Sequence, residues 1–260
     1  MNISINKTLS ADIMRLTNKS AEQVAKFLPE ISIELYGISN KGGKFAEARI
    51  PREFANITLE TSPASQNQAK VYERLKQYIA TFDRMLPSYE GEQVIQSLYL
   101  FSTAVGTGKT TTACAVAKEF MLMSWKDSLM RNKSMKSPPA FFLDVNELQM
   151  LYNKFNRKGI PEDIGESASR EYYAMLNDAK KAPFTVFDDI GVRGMSEAFL
   201  GDLHDCINFR VVNNLPRVYT SNINIDDLQN TLGHRLADRI KDQTKVVTFE
   251  GTSQRGIRIK

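Results

Sequence analysis

Short apolar runs alternate with longer segments of helical periodicity over the last two thirds of this 260-residue chain. Five runs predict buried strands near Ser97–Ser102, Ala140–Leu143, Phe184–Phe187, Arg217–Thr220 and Lys245–Phe249. The intervening patterns predict helices over Thr110–Trp125, Val145–Phe155, Ser167–Ala179 and Ser196–Val212, and two short helices between Asp226 and Ile240. This alternation indicates an α/β fold with a central five-stranded parallel sheet and helices on both faces.

The first 48 residues carry helix signals without strands and predict a small helical N-terminal region. Ser20 is a plausible N-cap for a helix that runs to Leu28. The glycine-containing stretch Ser39–Lys44 predicts a boundary, so we expect residues 49–260 to form the main domain. Within it, the pattern predicts a helix over Asn67–Leu86, and the basic, turn-prone segment Lys126–Pro139 predicts an exposed loop.

Composition argues against a membrane or secreted protein but does not indicate a particular activity. Apolar residues make up 42% of the chain, and no apolar run is long enough to predict a membrane span or a signal peptide, so we expect a cytoplasmic protein. The two cysteines, Cys114 and Cys206, lie within helical patterns and are expected to be core thiols. A net charge of +4 is compatible with a nucleic-acid partner but does not require one.

A glycine-rich turn follows the first predicted strand and ends in Gly-Lys-Thr-Thr. We expect a loop that binds a nucleoside triphosphate, with Lys109 at the β- and γ-phosphates and Thr110 at Mg²⁺. Thr103 occupies the position where the full pattern has its first glycine, and it can serve there if its φ angle stays negative. The predicted phosphate-binding residues are Val105, Gly106, Thr107, Gly108, Lys109, Thr110 and Thr111.

The third predicted strand ends in two acids, and the fourth ends in an asparagine. Asp188 is expected to hold Mg²⁺, largely through water, and Asp189 to orient the attacking water. Asn222 could hold that water beside the γ-phosphate. Because ligands bind at the carboxyl ends of strands in open α/β sheets, these side chains are expected to meet the glycine-rich loop.

Several arginines follow these strands. Arg235 and Arg239 share one helix face, and either a role at the phosphates of a neighbouring subunit or a surface ion pair with Asp238 or Asp242 fits the pattern. Arg255, after the last strand, could reach the nucleotide within the same chain.

The ordered set of these segments resembles the AAA+ helicase loaders of the DnaC/DnaI type, which are relatives of the IstB transposition helpers. The likeness covers roughly residues 48–258 and includes Ile50–Phe54, Gly106–Thr110, Val186–Gly191, Thr220–Asn222 and Leu232–Ile240. It implies an AAA+ P-loop ATPase that uses ATP and Mg²⁺. Lys109 and Thr110 would then belong to Walker A, Asp188 and Asp189 to Walker B, Asn222 to sensor 1, Arg239 to a trans-acting arginine finger and Arg255 to sensor 2.

The resemblance also implies partners: a replicative hexameric helicase, single-stranded DNA and further copies of the chain. The N-terminal region would hold the helicase. Asp189 is shorter than the glutamate of many AAA+ proteins, so we expect slow intrinsic hydrolysis. The alternative function is that of an IstB-like helper that binds double-stranded DNA and activates a transposase.

Basic and aromatic residues are mixed near the end of the second predicted helix of the core. Lys154, Phe155, Arg157 and Lys158 are candidates for single-stranded DNA contact, since bases stack on rings and phosphates meet cations. The alternative is an amphipathic helix whose apolar residues, Leu148, Leu151 and Phe155, belong to the core.

Overall fold

The computed structural model describes residues 3–39, 41–91, 94–191 and 194–253. Its helices are α1 (Ile3–Thr17), α2 (Ala21–Ala25), α3 (Leu28–Tyr36), α4 (Gly43–Glu47), α5 (Ala69–Ile79), α6 (Lys109–Met130), α7 (Val145–Phe155), α8 (Glu162–Lys181), α9 (Glu197–Val212), α10 (Gln229–Leu232) and α11 (His234–Lys241). The strands are β1 (Ser97–Phe101), β2 (Ala140–Asp144), β3 (Phe184–Asp188), β4 (Arg217–Ser221) and β5 (Thr244–Thr248). Short 3₁₀ turns cover Pro63–Ser65, Phe82–Met85 and Ile225–Asp227.

The five strands form one parallel sheet in the order β2-β3-β4-β1-β5. The expected α/β class, the strand number and the parallel arrangement are confirmed. Because the chain crosses from β1 to the far edge at β2 and then returns strand by strand, the carboxyl ends of β1, β3 and β4 lie side by side. A crevice at such a change of strand order is where open α/β sheets bind ligands.

Alternate residues of the four strands β1 to β4 enter two hydrophobic cores, one on each face of the sheet, and the edge strand β5 adds Val247 to one of them. Leu98, Leu100 and Val218 pack with α5, α6 and the N-terminal helices, whereas Tyr99 and Tyr219 pack with α7 to α11. The period of two follows from the pleat of a strand. Helices therefore cover both faces, as the sequence predicted.

Four predicted boundaries are corrected by the structure, and the first is the start of α8, at Glu162 instead of the predicted Ser167. The α6 helix runs to Met130, so residues 126–130 are not loop; buried Asp127 pairs with Arg131 at 2.7 Å and extends the helix by one turn. The predicted helix from Asn67 is interrupted after Ile79 and resumes only as a 3₁₀ turn. The helix capped by Ser20 divides after Ala25, and a new helix begins with a proline in its first turn, at Leu28.

The N-terminal helices lie on the outer face of α6 and share its hydrophobic core. Ion pairs cross this contact: buried Lys118 Nζ lies 3.2 Å from buried Asp12 Oδ2, and the more exposed Arg15 donates to both carboxylate oxygens of buried Glu119 at 2.7 and 2.8 Å. Since α6 has the sheet on one side and α1 on the other, it is buried on nearly all sides, which explains its lack of an amphipathic pattern. The boundary at residue 48 stays a prediction.

Of the helices that the structure describes, none combines the length and the apolar character needed to cross a bilayer.

Candidate functional site

The glycine-rich loop connects β1 to α6 and adopts a conformation that depends on its two glycines. Gly106 and Gly108 have φ angles of 73° and 98°, in the left-handed region that side chains disfavour. A Cβ atom at Gly108 would also lie 2.5 Å from the Cβ of Ala64, so a side chain has no room there. Thr103 is not among the residues of positive φ, and the condition for a threonine at this position is met.

Lys109 is the first residue of α6, and its side chain is buried at the carboxyl edge of the sheet. Its ammonium group donates to the carbonyl oxygens of Ser102 and Ala104 at 3.4 and 3.1 Å and to Asn222 Oδ1 at 2.5 Å. The structure thus brings together two predicted site residues, Lys109 and Asn222, which lie 113 positions apart.

Asp188 ends β3 and is held by hydroxyl groups from both neighbouring elements. Its Oδ1 accepts from Thr220 Oγ1 at 2.7 Å, and its Oδ2 accepts from Thr110 Oγ1 at 3.2 Å. Burial raises the pKa of Asp188 to about 6; the two hydroxyl hydrogen bonds lower the pKa, and the nearby carboxylates of Asp144 and Asp189 raise it further. The predicted magnesium pair, Thr110 and Asp188, therefore lies in direct contact.

Asp189 follows with a φ angle of 57°, an uncommon conformation for a residue with a side chain. Because of this turn the Asp189 carboxylate points towards α7, where Asn146 Nδ2 donates to Asp189 Oδ2 at 3.0 Å. Asn146 lies in the first turn of α7, next to Asp144, whose side chain caps that helix at the backbone N–H groups of Asn146 and Glu147.

A cleft of about 860 Å³ joins these groups. Its walls include the loop residues Val105, Gly106, Gly108, Lys109, Thr110 and Thr111, the polar residues Asp144, Asn146, Asp188, Asp189, Thr220 and Asn222, and the mainly apolar set Pro51, Glu53, Phe54, Ile57, Pro63, Ala64 and Phe142. The volume is within the range of small-molecule sites, roughly 300 to 1,000 Å³. A lining that combines polar groups, a buried lysine and apolar side chains fits a molecule that carries both phosphates and a base.

The donor set also fits Mg²⁺, which prefers hard oxygen ligands and keeps several waters. Thr110 and Asp188 present a hydroxyl and a carboxylate oxygen within 3.2 Å of each other. No group of three or more His, Cys, Asp or Glu side chains suited to a metal occurs in the described ranges. A magnesium ion here would therefore need substrate oxygens and water to complete its shell.

The other residues predicted to contact the nucleotide or its phosphates form fewer contacts with the site groups described above. Thr107 is buried, and its hydroxyl has no hydrogen-bond partner in the described part of the chain, whereas Val105 is 58% exposed. Arg239 is half-buried on α11 and is not among the described residues that line the cleft. Neither Arg235 nor Arg239 forms an ion pair with a described residue, so the surface-pair alternative has no support there. Arg255 lies outside the described residues.

The candidate DNA residues divide into two groups. Lys154, Arg157 and Lys158 are exposed at the end of α7 and in the loop after it. Phe155 instead packs among aromatic rings, with centroid distances of 5.3 Å to Tyr172 and 5.4 Å to Tyr152. Phe155 therefore fits the alternative of an amphipathic helix with its apolar residues in the core. A DNA-binding surface here would consist of the three basic side chains.

Sequence reasoning missed Asp144, Asn146 and the hydroxyl of Thr220 as site residues. One signal for Asp144 was available, because it ends β2 as Asp188 ends β3, and the two residues are paired in register. Asn146 had no comparable signal, since its contact depends on the left-handed turn at Asp189.

No protein-family model matches the chain. Over 188 residues it is 23% identical to the replicative helicase loader DnaC of Escherichia coli K12, and the same figures hold for DnaC of Shigella flexneri. The match covers 72% of this chain and 62% of each relative, so the chain spans less than two thirds of the length of these curated proteins.

Among solved structures, the crystal structure of DnaI aligns with a TM-score of 0.53 at 21% identity, covering 79% of this chain and 94% of DnaI. A putative primosome component from Streptococcus pyogenes serotype M3 aligns at 0.52 and 20% identity, over 82% and 100% of the two chains. The DnaC helicase loader aligns at 0.51 and 15% identity, over 76% and 99%.

The chain resembles helicase loaders of the DnaC/DnaI type. At these identities the structural likeness shows the fold alone, a five-stranded parallel α/β sheet covered by helices, as in DnaI and DnaC. The roles of the individual site residues stay predictions.

Proposed function

We propose that this chain is an ATP-dependent helicase loader, which binds a replicative hexameric DNA helicase and helps to place it on single-stranded DNA. The observation that carries the proposal is the meeting of Lys109, Asp188, Asp189 and Asn222 at one edge of the sheet in a chain that resembles DnaC. DnaC is a replicative helicase loader, and this likeness supports the helicase partner and the loading activity.

The proposed reaction is hydrolysis of ATP at the cleft. Mg²⁺, when bound, would neutralise phosphate charge. Lys109 would move its ammonium group from Asn222 to the β- and γ-phosphates, and Thr110 and Asp188 would turn their oxygens from each other to the ion. Asp189 would orient the attacking water together with Asn222. The short Asp189 side chain, already held by Asn146, favours slow turnover.

Residues from outside this cleft would complete the reaction. Arg239 would act at the γ-phosphate of a neighbouring copy, and Arg255 at the nucleotide of its own chain. The helical region of residues 1–48 would contact the helicase. Lys154, Arg157 and Lys158 would contact the DNA phosphates.

The test combines capture with hydrolysis. We expect the purified chain to retain a hexameric replicative helicase on a column, to retain no transposase, and to hydrolyse ATP. Lys109→Ala should lower hydrolysis by roughly a hundredfold or more, because an electrostatic contact to the transferred phosphoryl group is lost. Lys133→Ala, at an exposed lysine of the loop before β2, is the matched control and should leave the rate unchanged.

The same assay separates the two arginines of α11. Arg239→Ala should impair hydrolysis in concentrated protein, and Arg235→Ala, one turn earlier, should not. Capture of a transposase in place of the helicase would favour the IstB-like alternative. A dilute monomer as active as the concentrated protein would exclude the role of Arg239 in a neighbouring subunit.

A further inference from the structure

We infer that Thr220 is the positioning residue that sets both acids of the cleft, a role that rests on the proposed ATPase function. Thr220 lies in β4, the strand between β1 and β3, and is only 2% exposed. Its hydroxyl makes two hydrogen bonds at once. It donates to Asp188 Oδ1 at 2.7 Å and accepts from the backbone N–H of Asp189 at 2.8 Å.

The direction of these bonds is fixed by their partners. A backbone N–H only donates, so the bond to Asp189 uses an oxygen lone pair of the threonine. The single hydroxyl proton is then directed at Asp188, whose carboxylate accepts it. One side chain thus links the position of the first acid to the backbone of the second.

The backbone of β4 adds a third restraint. The carbonyl oxygen of Thr220 accepts from the N–H of Ile190 at 2.8 Å, and Ser221 Oγ donates to the carbonyl of Ile190 at 2.6 Å. Asp189 therefore takes its left-handed conformation between two hydrogen bonds to Thr220. Asn146 then holds the Asp189 carboxylate at a place that this turn has determined.

A buried threonine on the next strand provides a matched comparison. Thr185, in β3, is fully buried, and its hydroxyl donates to the carbonyl of Ala179 at 2.9 Å. It lies at the amino end of its strand and is not among the described residues that line the cleft, so its hydroxyl bonds a helix carbonyl and no site residue. Valine at either position keeps the shape of the side chain and removes the hydroxyl.

The experiment compares Thr220→Val, Thr220→Ser and Thr185→Val in the full chain. For Thr220→Val we expect ATP binding within about threefold of the original, while kcat falls by roughly tenfold or more, the effect of one hydrogen bond to a charged group. Thr220→Ser should restore kcat to within about threefold, because it keeps the hydroxyl. Thr185→Val should leave kcat unchanged.

Amide hydrogen exchange supplies a readout that does not depend on turnover. In Thr220→Val the N–H of Asp189 should exchange roughly tenfold faster or more, and in Thr220→Ser it should stay protected. An unchanged kcat and unchanged exchange in Thr220→Val would overturn the inference, as would an equal defect in Thr220→Ser. If the original chain hydrolyses no ATP, the proposed function fails, and faster exchange of Asp189 then decides whether Thr220 holds the acidic turn.

Discussion

Two buried aspartates in this fold are stabilised by different kinds of group. Asp12, at the contact between α1 and α6, lies against the ammonium group of Lys118, and the guanidinium of Arg15 is 3.5 Å away. Asp188, at the cleft, accepts hydrogen bonds from two neutral hydroxyls, and its pKa is raised by burial first and by the nearby carboxylates of Asp144 and Asp189 after that. The first arrangement balances charge within the chain. The second concentrates negative charge beside a buried lysine, which suits a site that binds a cation and phosphates.

The largest effect is expected at the N-terminal contact. Lys118→Met should lower the free energy of unfolding by about 3 to 5 kcal/mol, since it leaves Asp12 buried without its closest cation. The pair of changes Asp12→Leu and Lys118→Met should recover most of this loss, because both charges are then absent. Urea unfolding at pH 7 measures both variants. A loss below about 1 kcal/mol in the single variant would show that this contact does not balance charge as described.

A smaller effect of opposite sign is expected at the cleft. Because the pKa of Asp188 is raised to about 6, the folded chain holds a proton that the unfolded chain has lost between about pH 4 and 6. The ionisation of Asp188 therefore lowers the free energy of unfolding as pH rises through that window, by at most about 3 kcal/mol. Above the window this loss stays constant.

The variant Asp188→Asn isolates that contribution. Its free energy of unfolding, relative to the original chain and without nucleotide, should rise from pH 4 to pH 6.5 and then stay level. Measurement of both proteins by urea unfolding at several pH values gives the difference. A difference that does not change with pH would contradict the contrast between the two aspartates.

The smallest effect on stability is expected for charges that lie in water. Arg157→Ala combined with Lys158→Ala should change the free energy of unfolding by less than about 0.5 kcal/mol, since both side chains are exposed. If both meet phosphates, the slope of single-stranded DNA affinity against salt should fall by about 1.4. The matched control is Lys19→Ala with Lys26→Ala, two exposed lysines near α2. Equal slopes in the original and the double variant would exclude this surface.

The sequence predicted the sheet well because buried parallel strands are apolar runs with clear ends. All five strands were placed within one residue of their observed bounds, and Ser20, the predicted N-cap, accepts from the backbone N–H of Gln23. The meeting of Lys109, Asp188 and Asn222 followed from the rule that strands end at one edge. The length of α6 was missed because burial on both sides removes the periodicity on which helix prediction depends.

Contacts that depend on one backbone turn or on the packing of distant helices could not be predicted from sequence patterns. The bond from Asn146 to Asp189 requires a left-handed residue at the end of β3, and no pattern in the chain indicates one there. The ion pairs of Asp12 and Arg15 with α6 join residues more than 100 positions apart. Charged residues within a helix are ordinarily taken to face water, so Lys118 and Glu119 gave no hint of an interior position.

The helix α6 links the two regions physically. Lys109 is in its first turn, and Lys118 follows nine residues later, about 14 Å along the axis at 1.5 Å per residue. An α-helix resists compression, so an axial displacement of the phosphate-binding end moves Lys118 and Glu119 by nearly the same distance. The α6 helix therefore couples the glycine-rich loop at its N-terminus to the ion pairs that α1 forms with its middle.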